Sequence, residues 1–314
     1  MFDYLIRRFL SLILTLFIST IIIFIALEII PGDPAEYMLG INAEEDTINA
    51  LREELGLNKS KIERYFSWLI GMIQGDFGVS YTYGSPVNEM VLDRLKVSLP
   101  LALMALFIST IIALPVGIFA ASRYGKFSDF SIMGFTQFGI AVPNFWFAII
   151  LVFVFAVTLR WFSAGGFVGW DQGLFLGLKS LTLPAISLAL PQASILSRVM
   201  RSSLIDTLNE DFIKTARSKG LSKNQSLIRH GVRNALIPVL TIIGLQFSFL
   251  IAGAIIIENV FFLPGLGRLI FQSIAQRDLI VVESVITILV FSVVLVNFLV
   301  DIAYIIVDPR LRSK

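Results

Sequence analysis

Cysteine is absent from this 314-residue chain, which excludes disulfides and thiolate metal sites. Histidine occurs once, at His230, so zinc sites built on several histidines are excluded, including the His-Glu-x-x-His metalloprotease helix. Charge is scarce as well. Only 15% of residues are charged and 56% are hydrophobic, whereas a soluble domain carries about a quarter charged residues. That balance belongs to an integral membrane protein. No Gly-x-x-x-x-Gly-Lys-Ser/Thr phosphate loop is present; the nearest fragment, Gly125-Lys126-Phe127, lacks the earlier Gly and the Ser/Thr. No polar stretch is long enough for a nucleotide-binding domain. Without a visible internal repeat, an inverted-repeat secondary carrier loses support.

What the chain does contain is long apolar runs. Six stand out: Phe9–Ile30, Ser98–Ala121, Ile132–Leu159, Leu181–Met200, Ala235–Ile257 and Val281–Val307. The first follows Arg7 and Arg8. It is long enough to cross a hydrocarbon core of ~30 Å at ~1.5 Å per residue. Pro31-Gly32-Asp33-Pro34 follows in place of a small-residue cleavage site, so an uncleaved first helix is expected rather than a signal peptide. Pro100, Pro115, Pro143, Pro184, Pro191 and Pro238 lie at or inside the spans and are expected to kink or end helices. The expected fold is all-α with six transmembrane helices.

Basic residues assign the two sides. Arg7, Arg8, Arg123, Lys126, the 201–234 loop, Arg310, Arg312 and Lys314 fall on one side of a six-span chain. By the positive-inside rule that side is cytoplasmic, and both termini are there. The opposite side carries the segment 31–97, rich in acids such as Glu44, Glu45, Asp46, Glu53 and Glu54. Ile48, Leu51 and Leu55, then Ile62, Tyr65, Phe66, Leu69 and Ile70, give broken helical spacing, and Gly75, Gly78, Gly84 and Pro86 mark turns. A passive cap and a docking surface for an outside partner both fit this segment.

The most unusual stretch is the basic one between the fourth and fifth spans. Thr207-Leu208-Asn209-Glu210 fits a capping box, with acids Glu210 and Asp211 at the helix start and Lys214, Arg217 and Lys219 towards its end. Phe212, Ile213, Ala216 and Gly220 share one face; Gly220 is suited to end the helix at positive φ. Ser222-Lys223-Asn224-Gln225 reads as a second capping box opening a basic helix. A helix lying on anionic lipid, a solvated loop, and a helix seated in a groove of a cytoplasmic protein all fit this pattern.

The string Asp211-Phe212-Ile213-Lys214-Thr215-Ala216-Arg217-Ser218-Lys219-Gly220, followed by Asn234-Ala235-Leu236-Ile237-Pro238, resembles the EAA loop of binding-protein-dependent ABC importers. Nearly the whole chain is similar to permease subunits of the dipeptide, oligopeptide and nickel group. The shared strings include Pro31-Gly32-Asp33-Pro34, Leu51-Arg52-Glu53-Glu54-Leu55-Gly56-Leu57, Gly75-Asp76-Phe77-Gly78-Val79-Ser80 and Val142-Pro143-Asn144-Phe145-Trp146. Glu258-Asn259-Val260-Phe261, Pro264-Gly265-Leu266-Gly267-Arg268, Val300-Asp301 and Asp308-Pro309-Arg310 complete them. The first motif position holds Asp211 in place of Glu.

The resemblance implies a type I importer permease fold: a first helix in 1–30, an extended periplasmic segment 31–97, a five-helix core 98–306 containing the coupling loop 201–234, and a tail 307–314. It implies a second homologous permease, two cytoplasmic ATPases that bind ATP and Mg, and a periplasmic or lipid-anchored solute-binding protein. No cofactor, metal or nucleic acid is implied for this chain, and no catalytic residue. Glu210, Asp211, Phe212, Ile213, Lys214, Ala216, Arg217 and Gly220 would form the coupling helix, with Phe212 and Ile213 anchoring in an ATPase cleft and Lys214 and Arg217 pairing with its acids. The implied cargo is short peptides, with nickel chelates or other small solutes as the alternative.

Polar residues inside the spans have two readings. Gln137, Asn144 and Gln246 are candidates for the pathway, as are Gln192 and Asn297, though interhelical hydrogen bonding serves equally. Asp301, deep in the last span, suits either a structural pair or the acid of an ion-coupled carrier. His230 is expected at a surface. Pro264, Gly265 and Gly267 are expected in an outer gate or binding-protein dock.

Overall fold

The computed structural model describes residues 2–29, 33–40 and 43–307, and they are almost wholly helical. Pro31, Gly32, Asp308, Pro309, Arg310, Arg312 and Lys314 lie outside the described residues. In chain order the helices are α1 (Phe2–Glu28), α2 (Pro34–Leu39), α3 (Glu45–Glu54), α4 (Lys61–Gln74), α5 (Val87–Ser122), α6 (Phe127–Ala141) and α7 (Asn144–Leu151). They continue with α8 (Leu174–Leu208), α9 (Asp211–Ser218), α10 (Lys223–Ser226), α11 (Arg233–Val260), α12 (Leu266–Ala275) and α13 (Leu279–Val307). π-Turns at Val152–Thr158 and Leu227–Val232 extend α7 and join α10 to α11. Among the described residues five helices are long and apolar enough to cross a bilayer, and six crossings result if α6 and α7, bent by 98° at their break, are counted as one span.

That break falls inside the third span, Ile132–Leu159, at one of the prolines expected to kink or end a helix. Pro143 supplies no N–H, and it pushes Val142 into an extended conformation (φ −80°, ψ 123°) that cannot continue a helix. The other five span prolines sit inside continuous helices. Serine hydroxyls bonded to helix carbonyls accompany them, as where Ser187 Oγ donates to Pro184 O at 2.7 Å.

The contacts divide the chain into two compact units. One comprises Ile6–Ser98 and Pro264–Leu295. Here the family strings meet in space. Pro34 opens α2 and Asp33 caps it, accepting from Ala35 N at 2.8 Å. Arg52 of α3 then bonds Asp33 and, at 2.7 Å, Glu36. Ser60 and Glu63 form a capping box at the start of α4. Tyr65 of α4 is buried against α1: its hydroxyl is 3.0 Å from Thr20 Oγ1 and its ring meets Phe24 edge-on at 5.4 Å. Lys61 and Arg64 reach Glu28 at 3.5 and 3.3 Å, so the acid near the end of the first span is paired. The turn 78–86 is closed by a single bridge between Val79 and Pro86. Asp278, fully buried, holds that turn by accepting from Ser80 Oγ and from the amides of Tyr81 (3.3 Å) and Thr82 (3.1 Å).

The other unit has Leu99–Leu263 as its body, with residues 2–5 and 296–307 of the described chain. Its centre is α8, which packs on α6, α7 and α11. Small residues set the approach. A Cβ on Gly117 of α5 would lie 2.6 Å from the Ser197 carbonyl oxygen of α8, so only glycine fits there. Near the end of α8, Arg201 closes a bidentate pair with Asp129 of α6, at 2.6 and 2.7 Å. The Asp129 side chain is 2% exposed, and Gly125 N gives it a further hydrogen bond at 3.1 Å.

Three substitutions are testable by thermal unfolding of the purified protein in detergent. Gly117→Ala drives a methyl into backbone and is expected to lower stability by about 1–3 kcal/mol. Gly134→Ala, with open space around its Cβ, should be neutral or gain up to about 1 kcal/mol from helix propensity. Asp278→Ala leaves a hydroxyl and two amides without their acceptor and should cost about 2 kcal/mol or more. Proteolysis in the 78–86 turn should rise with it, and unchanged cleavage there would contradict the holding role.

Candidate functional site

The basic loop is built by the ends of two spanning helices. α8 runs on past Met200 to Leu208, because Leu204 is fully buried and keeps the helix docked. The expected capping box at Thr207 and Glu210 does not form. Thr207 is still inside α8 and donates back to Ser203 O at 2.8 Å. Glu210 precedes α9 without a side-chain cap, and α9 covers Asp211–Ser218.

On α9 the apolar residues divide. Ile213 is 3% exposed and packs into this chain, whereas Phe212 is 43% exposed. Ala216 is half-buried; Asp211, Lys214 and Arg217 are exposed. This corrects the expectation that Phe212 and Ile213 anchor together in a partner: at 100° of helix rotation per residue, adjacent positions point in different directions. Lys214 Nζ bonds Asp211 Oδ1 at 2.7 Å. That bond holds the Asp211 carboxyl below its ordinary range and raises the Lys214 ammonium.

Gly220 sits at φ 95°, as expected of the residue that turns the chain after α9. A Cβ there would touch nothing within 4 Å, so the requirement is conformational. The second capping box forms as expected: Gln225 N donates to Ser222 Oγ at 3.3 Å, and Ser222 N to Gln225 Oε1 at 2.9 Å. The basic helix it opens continues through the π-turn into α11 as one helical stretch, Lys223–Val260. Gly231 within that turn comes so close to α8 that a Cβ would meet Leu204 at 3.0 Å and Leu208 at 3.2 Å. Ser203 Oγ donates to Ala235 O at 2.9 Å across the same seam. His230 is half-buried. The loop is therefore clamped at its root to the α8–α11 pair while α9 presents a polar face with one exposed ring.

The pathway candidates separate. Gln246 is 2% exposed; its Nε2 donates to Gln192 O at 2.8 Å between α11 and α8, and it lines no surface of this chain. The interhelical reading is the one its position fits. Asn144 is half-buried in the first turn of α7 and lies close to Gly253 of α11. Gln137 is exposed on α6 and accepts from Arg198 Nη1. Arg198 was not among the expected site residues, although an arginine inside the apolar run Leu181–Met200 is visible in the sequence. Asp301 is half-buried. Gly265 and Gly267 are buried at the start of α12, where Leu266 N donates to Ser98 Oγ at 2.8 Å; Pro264 is half-buried.

Known proteins share both the sequence and the fold. Residues 113–313 match the family described as the binding-protein-dependent transport system inner membrane component, and residues 1–102 match the N-terminal part of such membrane components. A putative peptide transport system permease protein of Brucella abortus is 40% identical over 306 residues, 98% of each chain. The oligopeptide transport system permease protein AppB of Bacillus subtilis is 40% identical over 313 residues, 98% of this chain and 99% of its own. The glutathione transport system permease protein GsiC of Escherichia coli is 35% identical over 314 residues, 100% of both. A solved inward-facing structure of the MetNI methionine ABC transporter shares the fold, with a TM-score of 0.59 at 16% identity over 70% of this chain and 96% of that one. The chain thus belongs to the family of binding-protein-dependent inner membrane components: it is a multi-pass permease subunit of an ABC importer, which implies ATPase and solute-binding components as partners.

Proposed function

We propose that this subunit forms half of a translocation pathway for short peptides and that its basic loop is where a cytoplasmic ATPase takes hold. The substrate reading is supported by relatives named for peptide, oligopeptide and glutathione transport that align along nearly the whole chain. The coupling reading is carried by one observation, the division of faces on α9. Ile213 ties the helix to its own chain while Phe212 is left outward among charges. A short helix with an outward aromatic anchor suits docking in a groove.

The rest of the assembly follows from that reading. Two ATPases bind ATP and Mg, a second permease of the same kind completes the pathway, and a periplasmic or lipid-anchored binding protein delivers the solute. This chain supplies no ATPase site and no cofactor. Its basic side, with both termini, faces the cytoplasm, in line with the distribution of Lys and Arg. The turn at Pro264, Gly265 and Gly267 serves the outer gate through packing. When the ATPases close on ATP, force on Phe212 passes through α9 to α10, which it contacts, and from there through the π-turn, seated on Leu204 and Leu208 at Gly231, into α11 and α8.

Phe212→Ala should weaken retention of the ATPases roughly thirtyfold, about 2 kcal/mol for a buried aromatic anchor, with the melting temperature of the isolated permease unchanged. Ile213→Ala should instead lower that permease's own stability by about 2–4 kcal/mol. Co-purification in mild detergent and thermal unfolding separate the two, and a reversed pattern would overturn the assignment of faces.

Gly220→Val places a β-branched residue at positive φ, a strained arrangement. The variant should reach the membrane, hydrolyse ATP through its partners and fail to link hydrolysis to uptake. Uptake at the wild-type rate in reconstituted vesicles would remove the loop from the coupling role.

A further inference from the structure

We propose that Arg198 and Gln137 form a carboxylate-recognition site on the wall of the translocation pathway; this rests on the pathway reading above and names the chemistry that the wall recognises. α8 carries two arginines three residues apart, Arg198 and Arg201, and both reach α6. Their fates differ. Arg201 is matched by the Asp129 carboxylate in a bidentate pair. Arg198 bonds the neutral amide oxygen of Gln137, and among the described residues no carboxylate pairs with it. Both Arg198 and Gln137 are exposed. One cation of the pair is neutralised by the fold and the other is left for something else.

Depth makes this consequential. Gln137 is ten residues into α6, roughly 15 Å along the helix at ~1.5 Å per residue. That is about halfway through a hydrocarbon core of ~30 Å. An exposed guanidinium at that level is costly against lipid, so it faces protein or water. The adjacent helix end points to water. α6 stops at Ala141 and the chain turns by 98° into α7. Ile140 and Ala141 are exposed at that end, where the last carbonyls of a helix lack partners from a following turn. Irregular backbone at membrane depth is tolerated where it is buried in protein or lines a water-filled cavity; this chain by itself leaves it exposed, so the partner permease or the water of the pathway between them covers it.

The donor set selects the ligand. With one N–H given to Gln137, the guanidinium keeps its planar fork, which matches a carboxylate in two parallel bonds. The Gln137 amide N–H groups add neutral donors beside it. An ammonium group would be repelled. The ligand class is therefore a carboxylate of the passing solute, either a peptide C-terminus or an acidic side chain.

Because this chain has no cysteine, a single cysteine introduced into it can be labelled in the assembled importer and read on this chain alone after the subunits are separated. Arg198→Cys should react in membranes with water-soluble thiol reagents, while Phe135→Cys, on the same helix as Gln137 and 78% exposed, should not. Uptake of a free-acid tripeptide should fall about tenfold in Arg198→Cys. An adduct ending in an ammonium should restore it, and one ending in a sulfonate should not. Comparing the tripeptide amide with an aspartyl peptide amide distinguishes a terminal carboxylate from a side-chain one. Absence of labelling at position 198, or equal rescue by the two adducts, would overturn the proposal. Labelling does not require transport, so it tests the site even if the wild-type complex moves no peptide, a result that would count against the peptide reading instead.

Discussion

The close seam between the end of α8 and the start of α11 is the constraint on which the basic loop depends. Gly231 allows the π-turn to lie against Leu204 and Leu208, and the Ser203 hydroxyl bonds across to the Ala235 carbonyl. A Cβ at position 231 would meet the Leu204 and Leu208 methyls at 3.0 and 3.2 Å, so those side chains would have to yield by a few tenths of an ångström to admit it. Because the seam is closed, the loop between these helices is a lever with a fixed root rather than a tether. Burial of Ile213 extends that fixity to α9; removing such a side chain from water contributes about 1.5–3 kcal/mol.

Polar groups in the apolar body follow the same economy of position. Asp129 and Arg201 satisfy each other and join α6 to α8. Glu28 is met by Lys61 and Arg64, and Asp278 by a hydroxyl and two amides. Each of these acids fixes one element to another. Against that background an exposed arginine whose partner is a neutral amide is a departure, and that amide, Gln137, lies on the helix that ends just before Pro143.

Much of this was legible in the residues, and the failures have physical reasons. Length and apolar content gave the spans, and Ser222 with Gln225 gave the second capping box, because those signals are local. The Thr207–Glu210 box does not form: a threonine that starts a helix and one that bonds back inside a helix look alike in sequence, and burial of Leu204 keeps Thr207 inside α8. Pro143 was one of six span prolines with no local mark separating it from the others, and only the conformation of Val142 distinguishes it. Phe212 and Ile213 were grouped by hydrophobicity, though adjacent helix positions face different ways. Gln246 has two readings in the sequence because a polar residue in a span signals an interaction but not its direction; its bond to Gln192 O is the interhelical one. The pairing of Asp33 with Arg52, and of Ser80 with Asp278, joins residues far apart in sequence that no local pattern links.

The central claim is that α9 moves with α8 and α11 as one body when the ATPases act. Spin labels at Thr215→Cys on α9 and Ile228→Cys in the π-turn, both exposed positions, would measure it in the assembled complex. The account predicts a narrow distance distribution that is the same in nucleotide-free and ATP-trapped states. A broad distribution, or one that shifts with nucleotide, would mean that the loop flexes at its root and would contradict the lever.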